Sequence, residues 1–331
     1  MNKLALAVSI SVISGSAMAT VTQTEVDFNG YDVETFARPD NQSVILQSNN
    51  TTSSVVIQQG SKGDYDANIS VVDMRLQGWG KRSKVYVNQE GGDGFFPSAQ
   101  DSLVRIAGTS GGAKITVDQN GKYNDSQVVL SGDADNNTVD VTQTNGNFSE
   151  GNWSDVAISG SSDFNKVDID QNGSGNISEV SISGGSSGSS ADSQKVKVNQ
   201  KGSNSQSYVN LYDASVDNDV NIDQDNDGHY SNVSINGNLN DIDVKQSGSA
   251  SDTSDIALYG ESDNNIINVT QSGDYFSNKS EIKLYASSGN GVGAANHINS
   301  VEGIRVIQTG GDISTIVMNN STNSAIYVNQ Q

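Results

Sequence analysis

The 331-residue chain contains no cysteine and only two prolines. The first absence rules out disulfide cross-links, so stability has to come from packing and hydrogen bonds. The second leaves nearly every residue able to donate its main-chain N–H, as long strand ladders require. Positive charge is scarce as well: 18 Lys and Arg stand against 39 Asp and Glu, a formal net charge of -21. Such a surface repels nucleic acid and anionic lipid, and neither is expected as a partner. No apolar run reaches the roughly 20 residues of a membrane span. The nearest, Leu4 to Ile13, follows Lys3 and precedes Ala17-Met18-Ala19, the pattern of a secretory signal peptide ending at Ala19. Residues 1–19 therefore read as a signal peptide, 20–40 as an export-recognition segment or cap, and 41–331 as a repeat region of a secreted, extracellular protein.

What the chain has in quantity is Val and Ile at alternating positions, the vocabulary of pleated strands. One strand type, A, has the form apolar-x-apolar-x-Gln and recurs eleven times, with its glutamine at Gln59, Gln89, Gln119, Gln143, Gln171, Gln200, Gln224, Gln246, Gln271, Gln308 and Gln330. A second type, B, has the form apolar-x-apolar-x-small. Examples are Met74/Leu76/Gly78, Val104/Ile106/Gly108, Val128/Leu130/Gly132 and Val156/Ile158/Gly160, with Val44/Leu46 as the first of the series and Ile316/Met318 as the last. The usual period is 24 residues, as from Val117 to Val141. Two period-2 strands and two turns in that length predict an all-β fold, a parallel β-solenoid of two strands per coil and about eleven coils, amyloid-like in its dry seam. Each Gln then points inward and meets the Gln of the neighbouring coils at about 4.8 Å, a spacing that lets stacked amides bond one another. Glycine at the end of B is expected where no side chain fits.

At "NKVDIDQNGSGN" and "NVTQSGDYFSN" the chain resembles the curlin repeat of bacterial curli, in which apolar-x-apolar-x-Gln-x-Gly-x-x-Asn recurs. Gln-x-Gly is present at Gln89-Gly91, Gln119-Gly121, Gln171-Gly173, Gln200-Gly202, Gln246-Gly248, Gln271-Gly273 and Gln308-Gly310, with a following Asn at Asn124, Asn176, Asn204 and Asn278. Strand B departs from the curlin pattern, which ends that strand in Gln too. The resemblance implies a structural subunit that self-assembles into curli-like amyloid fibres of an extracellular matrix, with a nucleator subunit and an outer-membrane secretion channel as further partners. "AIYVNQQ" is a full A strand with only Gln331 after it, so Ile326, Val328 and Gln330 are expected to form a polymerisation edge.

Other chemistries find weaker footing. Asp168 and Asp170 share the outer face of one strand beside Asp140 and Lys197, and Asp223 lies beside Lys245, yet nothing encloses these groups as carboxylate catalysis requires. His229 lies in an A-to-B bend and His297 in a B-to-A insertion, so a Ser-His-Asp arrangement is not expected, and no enzyme activity or cofactor is. Asp223, Asp225 and Asp227 in "DQDNDG" resemble the start of a calcium loop, but the twelfth position is Ser234 instead of Glu, and a turn is expected there anyway. The alternative to a fibre subunit is a monomeric β-solenoid adhesin or carbohydrate-binding protein, with Trp79, Phe95 and Phe96 as candidate loop contacts.

Overall fold

The computed structural model describes residues 42–330 apart from 48–53, 61–65, 75–82, 92–97, 108–111, 133–135, 146–149, 161–162, 184–192, 213–216, 236–240, 259–265, 284–303 and 318–325. The signal-peptide and 20–40 segments, Trp79, Phe95, Phe96, His297 and most B-to-A bends lie outside the described residues.

Two parallel sheets of eleven strands each are present among the described residues. One stacks the B strands in chain order: β1 (Gln42–Gln47), β3 (Asp66–Met74), β5 (Ser98–Ile106), β7 (Asp125–Val128), β9 (Trp153–Val156), β11 (Ile177–Ser181), β13 (Gln206–Asn210), β15 (Tyr230–Ser234), β17 (Thr253–Ile256), β19 (Lys279–Lys283) and β21 (Ile313–Val317). The other stacks the A strands: β2 (Ser54–Gly60), β4 (Lys84–Gly91), β6 (Lys114–Gly121), β8 (Thr138–Asn145), β10 (Lys166–Ser174), β12 (Lys195–Ser203), β14 (Asp219–Asp225), β16 (Asp241–Ser247), β18 (Ile266–Ser272), β20 (Ile304–Thr309) and β22 (Ile326–Gln330). The chain passes from one sheet to the other at every bend and returns one strand further on, which makes the fold a parallel β-solenoid.

Alternation decides which side chains meet. On β10, Val167, Ile169 and Gln171 are buried, while Lys166 is exposed and Asp168 and Asp170 lie half-buried on the outer face. From the facing sheet, Val180 and Ile182 close the same seam. A coil that buries four such side chains gains about 1.5–3 kcal/mol from each. The solenoid makes about six turns and not the eleven coils the repeat predicts, and all four seam positions are described and buried in the seven strand pairs from β4 to β17. At the two ends Val55, Ile57, Ile326 and Val328 are only partly buried, because neighbours cover them on one side.

Two readings of strand B need correction. In β3 the residues that stack on Val104 and Ile106 are Val72 and Met74, so Met74 is the second of the pair and not the first, and Leu76 lies outside the described residues. Val71, Val72, Asp73 and Met74 are all buried, so hydropathy alone left the phase of this strand ambiguous, and stacking on the next coil fixes it. The same register sets Ile45 opposite Val72, leaving Val44 and Leu46 opposite Val71 and Asp73.

The second correction concerns glycine. At Gly132, on the B side, an added Cβ would meet no atom within 4 Å. The position that excludes a side chain is the glycine of Gln-x-Gly: Gly121 has φ +110° and its Cβ would lie 1.7 Å from the Asn145 carbonyl oxygen of the next coil. Gly121→Ala should therefore destabilise the fold by at least about 1–3 kcal/mol, and Gly132→Ala by no more than about 0.5 kcal/mol. Urea unfolding midpoints of the two variants test this directly; equal midpoints would contradict it.

Candidate functional site

The repeated glutamine is the most regular feature of the interior. Each Nε2 donates to the Oε1 of the Gln one coil further on: Gln59 to Gln89 (2.8 Å), Gln89 to Gln119 (2.9 Å), Gln119 to Gln143 (2.8 Å), Gln143 to Gln171 (2.9 Å) and Gln171 to Gln200 (2.9 Å). The series continues from Gln200 to Gln224 (2.8 Å), Gln246 (2.8 Å), Gln271 (3.0 Å), Gln308 (3.0 Å) and Gln330 (3.2 Å). All the donors point the same way along the stack. Nε2 also reaches main-chain carbonyls of the facing sheet, as Gln171 does at Trp153 (2.8 Å) and Gln271 at Thr253 (2.8 Å), so the ladder ties the two sheets together at the A-to-B bend. A buried amide satisfied on both sides avoids the cost of an unpaired polar group.

Three further columns were not read as ladders from the sequence. The residue that opens strand B carries its own ladder, in which a side-chain atom accepts the main-chain N–H of the next coil: Asn124 from Asn152 (3.1 Å), Asn152 from Asn176 (3.2 Å) and Asn176 from Ser205 (3.0 Å). Asn204, matched on spacing, is not a rung; it takes φ +59° beside the ladder while Ser205 occupies the rung. At the opposite bend Asn137, Asn165 and Gln194 accept the N–H of Asn165, Gln194 and Asn218 in turn (2.7, 2.7 and 3.2 Å). The third column is serine: Ser102, Ser126, Ser154, Ser178, Ser207, Ser231, Ser254 and Ser280 are buried two residues ahead of the first seam residue of strand B, and their hydroxyls find no partner. A hydroxyl stacked on its like at about 4.8 Å is too far away to bond it. The signal was in the sequence, as Ser-x-apolar-x-apolar, but serine beside a bend reads as turn chemistry.

The bend ladder also brings together residues that the sequence reading set apart. Ser205, His229 and Asp252 are successive rungs, all buried. Their geometry is not that of a nucleophilic triad: Ser205 Oγ accepts the His229 N–H (3.3 Å) and donates to the Asn226 carbonyl (3.3 Å), while Nε2 of His229 is held by the Asp225 carbonyl (2.9 Å). The calcium-loop residues are likewise engaged apart from one another. Asp223 Oδ1 accepts from Asn199 Nδ2 (3.0 Å) and Asp227 Oδ1 from the Ser203 N–H (2.7 Å), and no cluster of three potential metal ligands occurs among the described residues.

On the outer faces, parallel register places acid on acid. Asp140 stacks on Asp168, which stacks on Lys197, and Asp223 stacks on Lys245, as the repeat predicts. In the B sheet Asp101 stands opposite Asp125, whose carboxyl is pushed up to about 6 by burial, by Asp101 and by Asp155. Burial first, then neighbouring carboxylates, also raises Asp140 and Asp243. A shallow groove of about 420 Å³ crosses the outer face of β12, β14 and β16, where Lys195 pairs with Asp219 at 2.6 Å. Among the described residues no helix is long and apolar enough to cross a membrane.

No protein-family model and no curated protein matches this chain. What its architecture defines is a class, the parallel β-solenoids with stacked Gln and Asn ladders.

The ladder and the serine column make opposite predictions. Gln171→Ala removes the donor to Gln200 and an acceptor of Gln143, and should cost at least about 2 kcal/mol including the cavity. Ser178→Ala removes an unpaired hydroxyl and should be neutral or stabilising by up to about 1 kcal/mol. Thermal melts of both variants decide the matter, and a Ser178→Ala protein that melts as early as Gln171→Ala would refute the assignment.

Acidity gives another expectation. Asp125 is held above its ordinary 3.8, so the folded chain takes up this proton before the unfolded chain does. Its favourable contribution is complete below 3.8 and is lost as pH rises through about 6. Unfolding midpoints from pH 7 to pH 4 should therefore climb more steeply for the parent than for Asp125→Asn, and parallel curves would show that Asp125 is not the group responsible.

Proposed function

We propose that this protein is a structural subunit that assembles end to end into curli-like extracellular fibres. The observation that carries this reading is the open rung at β22. Among the described residues β22 is the edge of its sheet, and its seam residues Ile326, Val328 and Gln330 are half-buried where those of inner coils are fully buried. A second copy docking β1 and β2 against β21 and β22 would complete the seam and add Gln59 to the glutamine ladder, since both ends keep the same inward-facing pattern. Burying apolar side chains and pairing main-chain edges both favour this contact, as in strand-addition complexes. In this reading the main partner is the chain itself. A nucleator subunit, an outer-membrane secretion channel and an extracellular location belong to the same proposal.

The main-chain pattern selects the variant that tests it. In the A sheet, residues with outward side chains send their N–H forward to the next coil, as Lys166 does to Gln194 (2.8 Å) and Lys195 to Asn218 (2.8 Å). Tyr327 and Asn329 are the exposed residues of β22, so their N–H groups face the open edge and not β20. Replacing both with proline removes those donors and leaves the bonds to β20 in place. The double variant should remain soluble and rich in β structure while failing to extend seeds of the parent protein, read by thioflavin fluorescence and electron microscopy. Extension at the parent rate would exclude β22 as the growing edge, and a parent chain that stays monomeric for days would remove the fibre reading itself.

A further inference from the structure

One rung of the bend ladder breaks its chemistry. Where Asn124, Asn152 and Asn176 stand, each Oδ1 accepts a main-chain N–H and each Nδ2 gives a hydrogen to a carbonyl: Asn120 (3.0 Å), Gly173 (3.0 Å) and Gly202 (2.9 Å). Past Ser205, two and three coils beyond Asn176, the rungs are His229 and Asp252, both with no exposed surface. Nδ1 of His229 accepts the Asp252 N–H at 3.2 Å, and Nε2 lies 2.9 Å from the Asp225 carbonyl. These partners assign the hydrogen to Nε2 and leave Nδ1 as an acceptor. Asp252 Oδ1 accepts both the N–H (2.8 Å) and the Nδ2 (3.0 Å) of Asn278. Its Oδ2 has no donor at all and faces Nδ1 of His229 at 3.8 Å. Two acceptors thus confront each other in the interior, and the rung is one hydrogen short of the asparagine rungs beside it.

We propose that Asp252 binds one proton from solvent on the orphaned Oδ2 that faces Nδ1 of His229, and that its uptake completes the bend ladder. The proton adds to the carboxylate with no other bond broken, giving a neutral acid whose O–H faces Nδ1, and the 3.8 Å gap must close to about 3 Å for that O–H to share the Nδ1 lone pair with the Asp252 N–H. Burial favours this uncharged pair over an imidazolium–carboxylate pair. The surroundings supply no competing charge: Ser205 lies below, Asn278 above, and Gln224 and Gln246 on the seam side. Asp225, Asp227 and Asp274 at the bends, and Lys201 and Lys279 on the flanking strands, are exposed. Burial accordingly holds the Asp252 carboxyl above its ordinary range, with Asn278 and His229 opposing the shift. The sign follows from linkage at Asp252: its carboxyl binds a proton in the folded chain that it releases in the unfolded chain, so this one group favours the fold increasingly as pH falls through its folded value. That gain is complete once the unfolded value of 3.8 is passed.

The direct test needs no variant. Carbon and nitrogen NMR of the full chain, labelled at Asp and His, would follow the Asp252 carboxyl and the His229 ring from pH 8 to pH 3. The expected result is a carboxyl midpoint above 3.8 with an Nε2–H ring at neutral pH; a midpoint at or below that value overturns the proposal. A second arm uses Asp252→Asn, whose amide brings the missing hydrogen permanently. The ratio of the parent's unfolding equilibrium constant to the variant's, in which histidine's own proton cancels, should fall as pH falls, by up to tenfold per pH unit for one proton. Parent and variant with the same pH slope would likewise overturn it.

Discussion

Parallel stacking of equivalent coils sets every side chain about 4.8 Å from side chains in the same place on the coils above and below. Under that constraint like must tolerate like. Valine and isoleucine do so by packing, and glutamine does so because a primary amide is donor and acceptor at once, as the unbroken run from Gln59 to Gln330 displays. Serine tolerates it only passively, since its hydroxyl cannot span the gap, and its small volume leaves room at the bend where the glutamine amide reaches across. Carboxylates tolerate it least. The carboxyl of Asp125 is raised first by burial and then by Asp101 stacked on it, so a half-buried acid on acid is costly.

The A strands and their inward glutamines were legible from sequence because two independent patterns, period-2 hydropathy and a fixed Gln, coincide there. Strand B has only hydropathy, and where consecutive residues are apolar, as at Val71 and Val72, the phase cannot be read until stacking on Val104 and Ile106 decides it. The Gln-x-Gly glycines were visible as a motif, but their reason lies between coils: the carbonyl of Asn145 occupies the space a side chain on Gly121 would need. Proximity between coils also explains why the meeting of Ser205, His229 and Asp252 was not visible in the sequence. They lie 24 and 23 residues apart along the chain and become nearest neighbours only when the register is known.

Ladder geometry is insulated from the bends. Consecutive glutamines are separated by as few as 22 residues, from Gln224 to Gln246, and by as many as 37, from Gln271 to Gln308, while the bond length stays between 2.8 and 3.0 Å in those two steps. A longer connection adds little closure entropy, so the ladder keeps its spacing whatever number of residues separates its rungs. Length variation and stability are therefore governed by separate parts of each coil.

The common direction of the glutamine donors has an electrical consequence. Main-chain dipoles in a parallel sheet largely cancel along the stacking axis, because alternate residues point their amides opposite ways. The side-chain amides do not alternate. Each carries a dipole of about 3.5 D, like a peptide unit, and their sum leaves the Gln330 end of the column positive and the Gln59 end negative. The molecule is thus a vectorial rod, and two rods brought together at their Gln330 ends would oppose hydrogen to hydrogen.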